Sequence, residues 1–254
     1  MAPPFLLVQL SDLHIGADWA GVDPAARLAA AVAAIGALPY APDAVLVTGD
    51  LTNDGAEAEY AVARELLGRL EAPLHVLPGN HDDRAACRRA FGLPGEADAA
   101  VNYAVDLGPL RLVALDSTVP GQDPGRFAPE QLRWLEATLA AAPAQPTLLA
   151  MHHPPLGTGI PGWDEVNLAA AERRALGEVV GRHRQLRAIV AGHLHCVSAS
   201  ALAGCPVLAA PSCYLQAEPN FSSGEIEPDS EPPGFAVHAL RDGELATHVL
   251  PLAC

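Results

Sequence analysis

Five short apolar runs along the chain each end abruptly at polar residues that could carry chemistry. Each run is rich in valine, leucine or alanine and stops at a break or a glycine, which is the pattern of a buried β-strand. The runs with the residues that follow them are 6–10 with Ser11-Asp12-Leu13-His14, 44–48 with Gly49-Asp50, 74–77 with Pro78-Gly79-Asn80-His81-Asp82, 148–151 with His152-His153, and 188–191 with Gly192-His193-Leu194-His195. Chemistry in open α/β sheets collects at the carboxyl ends of strands. The five ends could therefore deliver their side chains to one place.

Helical patterns alternate with these strand patterns. We predict helices over 25–38, 56–70, 83–91, 129–141 and 167–183. Gly108-Pro109 separates the apolar stretches 101–107 and 110–115 and indicates an antiparallel hairpin. Short strand patterns dominate later, at 198–202, 206–210, 235–240 and 245–250. We therefore expect one α/β domain over 1–254, with two mixed β-sheets packed face to face and helices outside.

One segment, 216–234, is poor in core residues and rich in Glu, Pro and Ser. Loops of this length in compact domains are usually either functional or disordered. The sequence leaves two readings open for this segment, a mobile surface loop and a flap over the site.

The charge and the cysteines limit the class of protein. A formal net charge of -15 repels phosphate backbones, so we expect no nucleic-acid polymer as partner. The same charge would repel small phosphate substrates unless cations line the site. The cysteines have neither metal nor disulfide spacing, which favours free thiols in the cytoplasm: Cys87, Cys196, Cys205, Cys213 and Cys254. We expect no secretory signal and no membrane segment, because the N-terminus lacks a positive region and no apolar run approaches the roughly 20 residues required.

Seven of the side chains at the strand ends are oxygen or imidazole donors: Asp12, His14, Asp50, Asn80, His152, His193 and His195. A donor set without thiolates suits Mn, Fe or Zn rather than a soft metal. One catalytic ion takes three or four protein ligands, so seven donors indicate two ions with a shared ligand. Asp50 is the expected bridge, because a carboxylate has two oxygens. Two ions roughly 3.5–4 Å apart could hold a hydroxide and clamp the attacking and leaving oxygens of a phosphoryl displacement.

In this order and at these separations, the motifs resemble the signature of the calcineurin-like metallophosphoesterase superfamily. The matching elements are Asp12-x-His14, Gly49-Asp50, Gly79-Asn80-His81-Asp82, His152 and Gly192-His193-x-His195. Within the superfamily, His152-His153-Pro154-Pro155 and the run 49–55 most resemble class III cyclic-nucleotide phosphodiesterases and related bacterial glycerophosphodiesterases.

The resemblance implies a four-layer αββα sandwich and a ligand set for each ion. The first ion would be held by Asp12, His14, Asp50 and His195, and the second by Asp50, Asn80, His152 and His193. His81 would take the family's non-ligand histidine position, where it binds the phosphoryl group or protonates the leaving oxygen. His153, next to the ligand His152, would support the ligands or line the pocket in contact with substrate.

We therefore expect a metal-dependent phosphodiesterase with Asp50 and His81 as catalytic residues and with Asn80, His81 and His153 as substrate-binding residues. An imidazole suits this work because it titrates in the range that protonation of an alkoxide requires. Asp82 could orient His81, although a helix-capping role for Asp82 or Asp83 is an equal alternative.

The expected substrate is a small phosphodiester, either a cyclic nucleotide such as cyclic AMP or a glycerophosphodiester. A base pocket for a nucleotide would come from the segments 117–127, 156–167 and 216–234, with Trp163 and Tyr214 either stacking a base or packing. A phosphomonoesterase is the alternative enzyme, and a non-catalytic scaffold with the same fold is the alternative of another class. A homodimer is also left open.

Overall fold

A computed structural model describes residues 3–252, which form two β-sheets between layers of helices. The elements in chain order are β1 (Phe5–Leu10), α1 (Pro24–Gly36), β2 (Ala44–Thr48), α2 (Glu57–Leu67), β3 (Leu74–Leu77), α3 (Arg84–Phe91), β4 (Tyr103–Asp106), β5 (Arg111–Ala114), α4 (Pro129–Ala140), β6 (Thr147–Ala150), α5 (Pro161–Val166), α6 (Ala170–Val180), β7 (Leu186–Ala191), β8 (Ser198–Leu202), β9 (Cys205–Ala209), β10 (Gly234–Arg241) and β11 (Glu244–Pro251).

Each sheet has a parallel centre with antiparallel strands at its margin. The first sheet has the order β11-β10-β1-β2-β3, in which β1, β2 and β3 are parallel. The second has the order β4-β5-β6-β7-β9-β8, in which β5, β6, β7 and β9 are parallel. Because β1, β2 and β3 run parallel in the first sheet, and β6 and β7 run parallel in the second, the polar residues after these strands gather at the carboxyl edge of each sheet.

The core explains why these strands are apolar on both faces. In β2, Ala44 and Leu46 point between the sheets, whereas Val45 and Val47 pack under the helices of the first sheet. A separate cluster joins the second sheet to α4 and α6. A strand covered on both sides is a continuous hydrophobic run, which is the pattern that the sequence contains. The predicted αββα sandwich of two mixed sheets is confirmed.

The main difference from the predicted elements lies between residues 161 and 183. The sequence predicted one helix over 167–183, whereas the chain forms α5 and then α6. Asn167 has an extended backbone, with φ -96° and ψ -164°, and this separates the two helices. Pro161 at the first turn of α5 is the start signal that the prediction overlooked.

Two other expectations concern the cysteines and the membrane. Cys87, Cys196, Cys205 and Cys213 are free thiols, and Cys254 lies outside the described residues. Within residues 3–252, no helix combines the length and the apolar character needed to cross a membrane.

Candidate metal centre

The predicted donors meet where the carboxyl ends of β1, β2, β3, β6 and β7 converge. Six of the seven donors are buried, and Asn80 is partly exposed. Five have a left-handed backbone, with φ values of 54° at Asp12, 46° at His14, 49° at Asp50, 73° at His193 and 49° at His195. Such a conformation costs a residue with a Cβ roughly 1–2 kcal/mol, and it persists only where the surroundings impose it. Five of the eight non-glycine residues with positive φ among those described are donors, so backbone strain is concentrated at this site.

Gly49 is one of the glycines that this geometry requires. Gly49 has φ +96°, and a Cβ there would lie 2.8 Å from Gly79 Cα and would also collide with the His152 ring. The Gly49 carbonyl accepts the Asp12 amide at 3.1 Å, so the turn after β2 also holds the turn after β1. Only glycine allows these strand ends to approach so closely.

The first donor set consists of Asp12, His14, Asp50 and His195, whose ligand atoms lie within 4.8 Å of one another. His14 Nε2 lies 2.9 Å from His195 Nε2 and 3.5 Å from Asp50 Oδ2. His195 Nε2 lies 3.7 Å from Asp12 Oδ1. Metal–ligand bonds of about 2.1 Å place neighbouring ligand atoms about 3.0–3.4 Å apart. The spacing of this set therefore fits one metal ion.

The second donor set is centred on Asn80. Its Oδ1 atom lies 3.0 Å from His152 Nε2 and 3.1 Å from His193 Nδ1. His152 Nε2 in turn lies 3.4 Å from Asp50 Oδ2. These distances also fit the spacing of ligands around one ion.

Asp50 stands between the two sets, but with one oxygen rather than two. Its Oδ2 atom is 3.5 Å from His14 Nε2 and 3.4 Å from His152 Nε2. Its Oδ1 atom accepts the backbone N–H of His81 at 3.0 Å. The sequence argument expected a bridge through both carboxylate oxygens, whereas here Oδ2 alone faces both donor sets.

Backbone carbonyls fix the tautomers of two donor histidines. His152 Nδ1–H donates to the Thr48 carbonyl, and His195 Nδ1–H donates to the Leu215 carbonyl, each at 2.8 Å. In each neutral ring this leaves Nε2 as the free acceptor, turned toward the other donors. Metal-ligating histidines typically use such a partner on the second nitrogen. The residues present therefore fit a pair of metal ions.

Burial and mutual attraction set the charge of the site. Burial lowers the pKa of His14 and of His193 well below the usual range, which gives the neutral state that a ligand requires. Burial alone would raise the pKa of Asp50, but His152 and His14 hold it well below its usual value. Burial opposes charge on His152, yet Asp50 raises its pKa to about 9. An ion that binds to His152 must therefore displace a proton at neutral pH.

His81 is oriented by a backbone carbonyl rather than by Asp82. Its Nδ1–H donates to the Asn53 carbonyl at 2.8 Å, which leaves Nε2 as the free ring nitrogen. Asp82 instead accepts the N–H groups of Leu51 and Gly79, at 3.1 and 2.9 Å. Asp83 caps α3 by accepting the Ala86 amide at 2.7 Å, as one of the two alternatives predicted. The sequence carried no signal for the Asn53 contact, because every residue has a carbonyl.

A cavity of about 580 Å³ opens over the donors. All three segments expected to line a pocket contribute to it, through Asp123, through Trp163 and Val166, and through 216–217 with 226–228. The segment 216–234 is thus part of the wall. Its two arms are joined by bonds from the Glu218 amide to the Glu227 carbonyl and from the Asp229 amide to the Gln216 carbonyl.

Two aromatic residues have places that the sequence did not assign. Trp19, not predicted as a site residue, lines the cavity with its ring centroid 4.5 Å from that of His14. Tyr214 does not line the cavity, and its hydroxyl accepts the Trp19 amide at 2.9 Å. Of the two roles predicted, stacking on a base and packing, Tyr214 therefore has the packing role, whereas Trp163 faces the cavity.

His153 is fully buried and does not line the cavity. Its Nδ1 accepts the Ser117 hydroxyl and its Nε2–H donates to the Asp123 carbonyl, each at 2.8 Å. Burial lowers its pKa to about 3, so the ring is neutral. Because both nitrogens are already bonded, this arrangement does not support the expected contact between His153 and substrate.

Two mixed sheets with these donors at their edge define a metallophosphoesterase. The chain belongs to the calcineurin-like phosphoesterase family, whose sequence profile matches residues 5–197. This family hydrolyses phosphoesters.

Two relatives of assigned function align with nearly the whole chain. A probable glycerophosphodiester phosphodiesterase of Arcobacter nitrofigilis is 32% identical over 251 residues, which are 96% of this chain and 92% of the relative. A 3',5'-cyclic adenosine monophosphate phosphodiesterase of Pseudomonas aeruginosa is 33% identical over 249 residues, 96% of this chain and 89% of the relative. Among solved structures, a dimetal phosphatase from Danio rerio has the same fold, with a TM-score of 0.73 at 16% identity, covering 99% of this chain and 100% of that one.

Proposed function

We propose that this protein is a dinuclear metal-dependent phosphodiesterase that hydrolyses small phosphodiesters. The observation that carries the proposal is the position of Asp50 Oδ2, 3.5 Å from a donor of one set and 3.4 Å from a donor of the other. When bound, two ions supply the Lewis acidity and the acidified water that phosphoester hydrolysis requires. The named relatives support a diester as the substrate.

His81 provides the proton for the leaving oxygen in this proposal. The Asn53 carbonyl accepts Nδ1–H and thereby fixes the orientation of the ring. The proton that the ring can release is then the one on Nε2. Asp50 and Asn80 are themselves donors for the ions, and the Asp50 Oδ1 contact to the His81 amide ties His81 to the same centre.

The charge of the cavity supports a role for metal ions in binding the phosphoryl group. The chain contains no lysine. Among the described residues that line the cavity there is no arginine, but there are two acidic residues, Asp123 and Glu227, in addition to Asp50. The metal ions would therefore be the main positive charges that face the substrate. A monoanionic diester suits such a cavity better than a dianionic monoester.

The decisive experiment replaces Asp50 or Asn80 with alanine and measures hydrolysis of bis(p-nitrophenyl) phosphate in the presence of Mn²⁺. We expect turnover to fall by at least about a hundredfold in both variants, because even partners that do not touch the ion contribute 10- to 100-fold. Undiminished turnover in both variants would refute the proposal.

The physiological substrate follows from a comparison of rates on one preparation. Cyclic AMP, cyclic GMP, glycerophosphocholine and a generic monoester separate a cyclic-nucleotide phosphodiesterase, a glycerophosphodiesterase and the alternative phosphomonoesterase. Metal content together with these rates also tests the non-catalytic scaffold, which would bind no ions or turn over none of the four.

The proposal also includes the identity of the metal ions, the location of the protein in the cell and its oligomeric state. The nitrogen and oxygen donors accept Mn, Fe or Zn, so metal analysis of protein from its native source identifies the pair. We also propose a cytoplasmic location, which cell fractionation tests, and a homodimer, which light scattering tests.

A further inference from the structure

The neighbours His152 and His153 point into different parts of the molecule. His152 belongs to the second donor set, whereas His153 is enclosed by the 117–126 loop, the ten residues from Ser117 to Arg126. The loop closes on itself, because the Arg126 amide donates to the Ser117 carbonyl at 2.9 Å. The His153 ring packs against this loop.

Three contacts join the 117–126 loop to the His153 side chain. The Ser117 hydroxyl bonds to Nδ1 at 2.8 Å, and the Asp123 carbonyl accepts Nε2–H at 2.8 Å. Gly125 packs against the ring so closely that a Cβ there would lie 2.7 Å from His153 Cγ. A fourth contact, from the His153 amide to Ser117 Oγ at 3.1 Å, fixes the start of the loop to the backbone after β6.

The loop matters because it carries part of the cavity wall. Asp123 lines the cavity, and its own carbonyl is the group that His153 holds. On its other side, the His153 ring packs against His193, with centroids 4.5 Å apart, and against His152, with centroids 4.9 Å apart. His153 therefore connects the metal-facing histidines to the substrate-facing wall.

We propose that His153 is a positioning residue that fixes the 117–126 loop as a wall of the cavity. It sets the fit of the substrate without binding either the substrate or a metal ion. The inference rests on the proposed diesterase function, since its main readout is the KM of a diester. It accounts for a buried histidine whose two nitrogens are both used by one loop.

Two substitutions in the loop test the inference without altering His153. Gly125→Ala places a methyl group against the His153 ring and 3.0 Å from Leu168 Cδ2. The backbone φ of Gly125 lies outside the left-handed region, so the strain comes from these contacts and not from the backbone. Ser117→Ala removes the hydroxyl that bonds Nδ1. The loss of one such hydrogen bond weakens binding affinity by about threefold to tenfold. We therefore expect the KM for bis(p-nitrophenyl) phosphate to rise by about that factor in Ser117→Ala, and by a similar factor in Gly125→Ala. We expect kcat to stay within about twofold and two ions to be retained per chain.

Two control substitutions match these changes. Gly157→Ala adds the same methyl group at an exposed glycine, where it would meet only the end of the Arg173 side chain at 3.3 Å. Gln122→Ala removes an exposed side chain of the same loop that is not among the residues lining the cavity. Both should leave KM and kcat unchanged, and thermal melts of all four variants show whether each is folded.

The outcomes separate this inference from its competitors. A fall in kcat at unchanged KM in Ser117→Ala or Gly125→Ala would overturn it, as would KM values equal to those of the controls. His153→Gln adds a direct test, because loss of a bound ion from that folded variant would make His153 a ligand. If the wild-type protein does not turn over the diester, the proposed function fails. The inference is then tested by calorimetric binding of the same diester, where the two loop variants must weaken Kd and the controls must not.

Discussion

Replacement of His81 by alanine tests the most specific chemical role in this account. His81 lines the cavity, its amide is held by Asp50 Oδ1 at 3.0 Å, and its Nδ1–H is held by the Asn53 carbonyl at 2.8 Å. Both contacts fix the ring without using Nε2. A ring held in this way can deliver a proton to a leaving oxygen, and alanine cannot.

The expected loss depends on the leaving group. General acid catalysis contributes typically 10²–10⁴-fold, which corresponds to about 3–5 kcal/mol of activation free energy. An alkoxide leaving group, as in cyclic AMP or glycerophosphocholine, requires the proton. For these substrates kcat should therefore fall by the whole 10²–10⁴-fold factor. The p-nitrophenolate leaving group is stable without a proton, so bis(p-nitrophenyl) phosphate should lose less than about tenfold.

The assay measures kcat for one alkyl diester and for bis(p-nitrophenyl) phosphate with wild type, His81→Ala and a control. His248→Ala is a suitable control, because His248 is exposed on β11 and is not among the residues that line the cavity. Metal content must be equal in all three proteins. Equal losses on both substrates would refute the role of His81 in protonating the leaving group, and an unchanged kcat would remove it from the chemistry altogether.

Three further predictions address the metal centre and the fold. Asp50→Asn keeps the size of the side chain but removes the charge between the two donor sets, so metal content should fall from two ions to one or fewer; retention of both would contradict the bridging role. Gly49→Ala should lower the free energy of unfolding by about 2–5 kcal/mol in urea titrations, from the strain at φ +96° and the collision with Gly79. Burial lowers the pKa of His238 to about 4, and its unfolded value is about 6.5. The unfolded chain therefore binds more protons between these values, so about 3 kcal/mol of stability present above pH 6.5 is lost as the pH falls toward 4. His238→Gln should flatten that slope, and an unchanged slope would contradict the assignment.

The sequence predicted the parts of this structure that depend on local pattern. Runs buried on both faces predicted the central strands, and the strand β2 was predicted at its observed bounds, 44–48. The donor types and their positions after strands predicted where the side chains gather. Local signals also mark the start of α1, because Pro24 occupies its first turn and the Asp23 side chain accepts the Ala25 amide.

The features that the sequence did not predict arise from contacts between distant segments. The carbonyls of Asn53 and Leu215 orient His81 and His195, but a carbonyl leaves no trace in the sequence. The left-handed backbone at five donors also has no signal, because Asp and His adopt it more often than most residues but still in a minority of cases, so residue type alone does not predict it. The sequence left two roles open for His153, support of the ligands and contact with substrate in the pocket, and it carried no signal for the contacts with the 117–126 loop.

The number of metal ions bound per chain tests the central claim most directly. Protein loaded with Mn²⁺ and dialysed against metal-free buffer should contain two ions per chain by plasma mass spectrometry. The account predicts that value for the wild type, because two donor sets share Asp50. A value of one or less in folded wild-type protein with Mn²⁺, and likewise with Fe²⁺ and Zn²⁺, would contradict it.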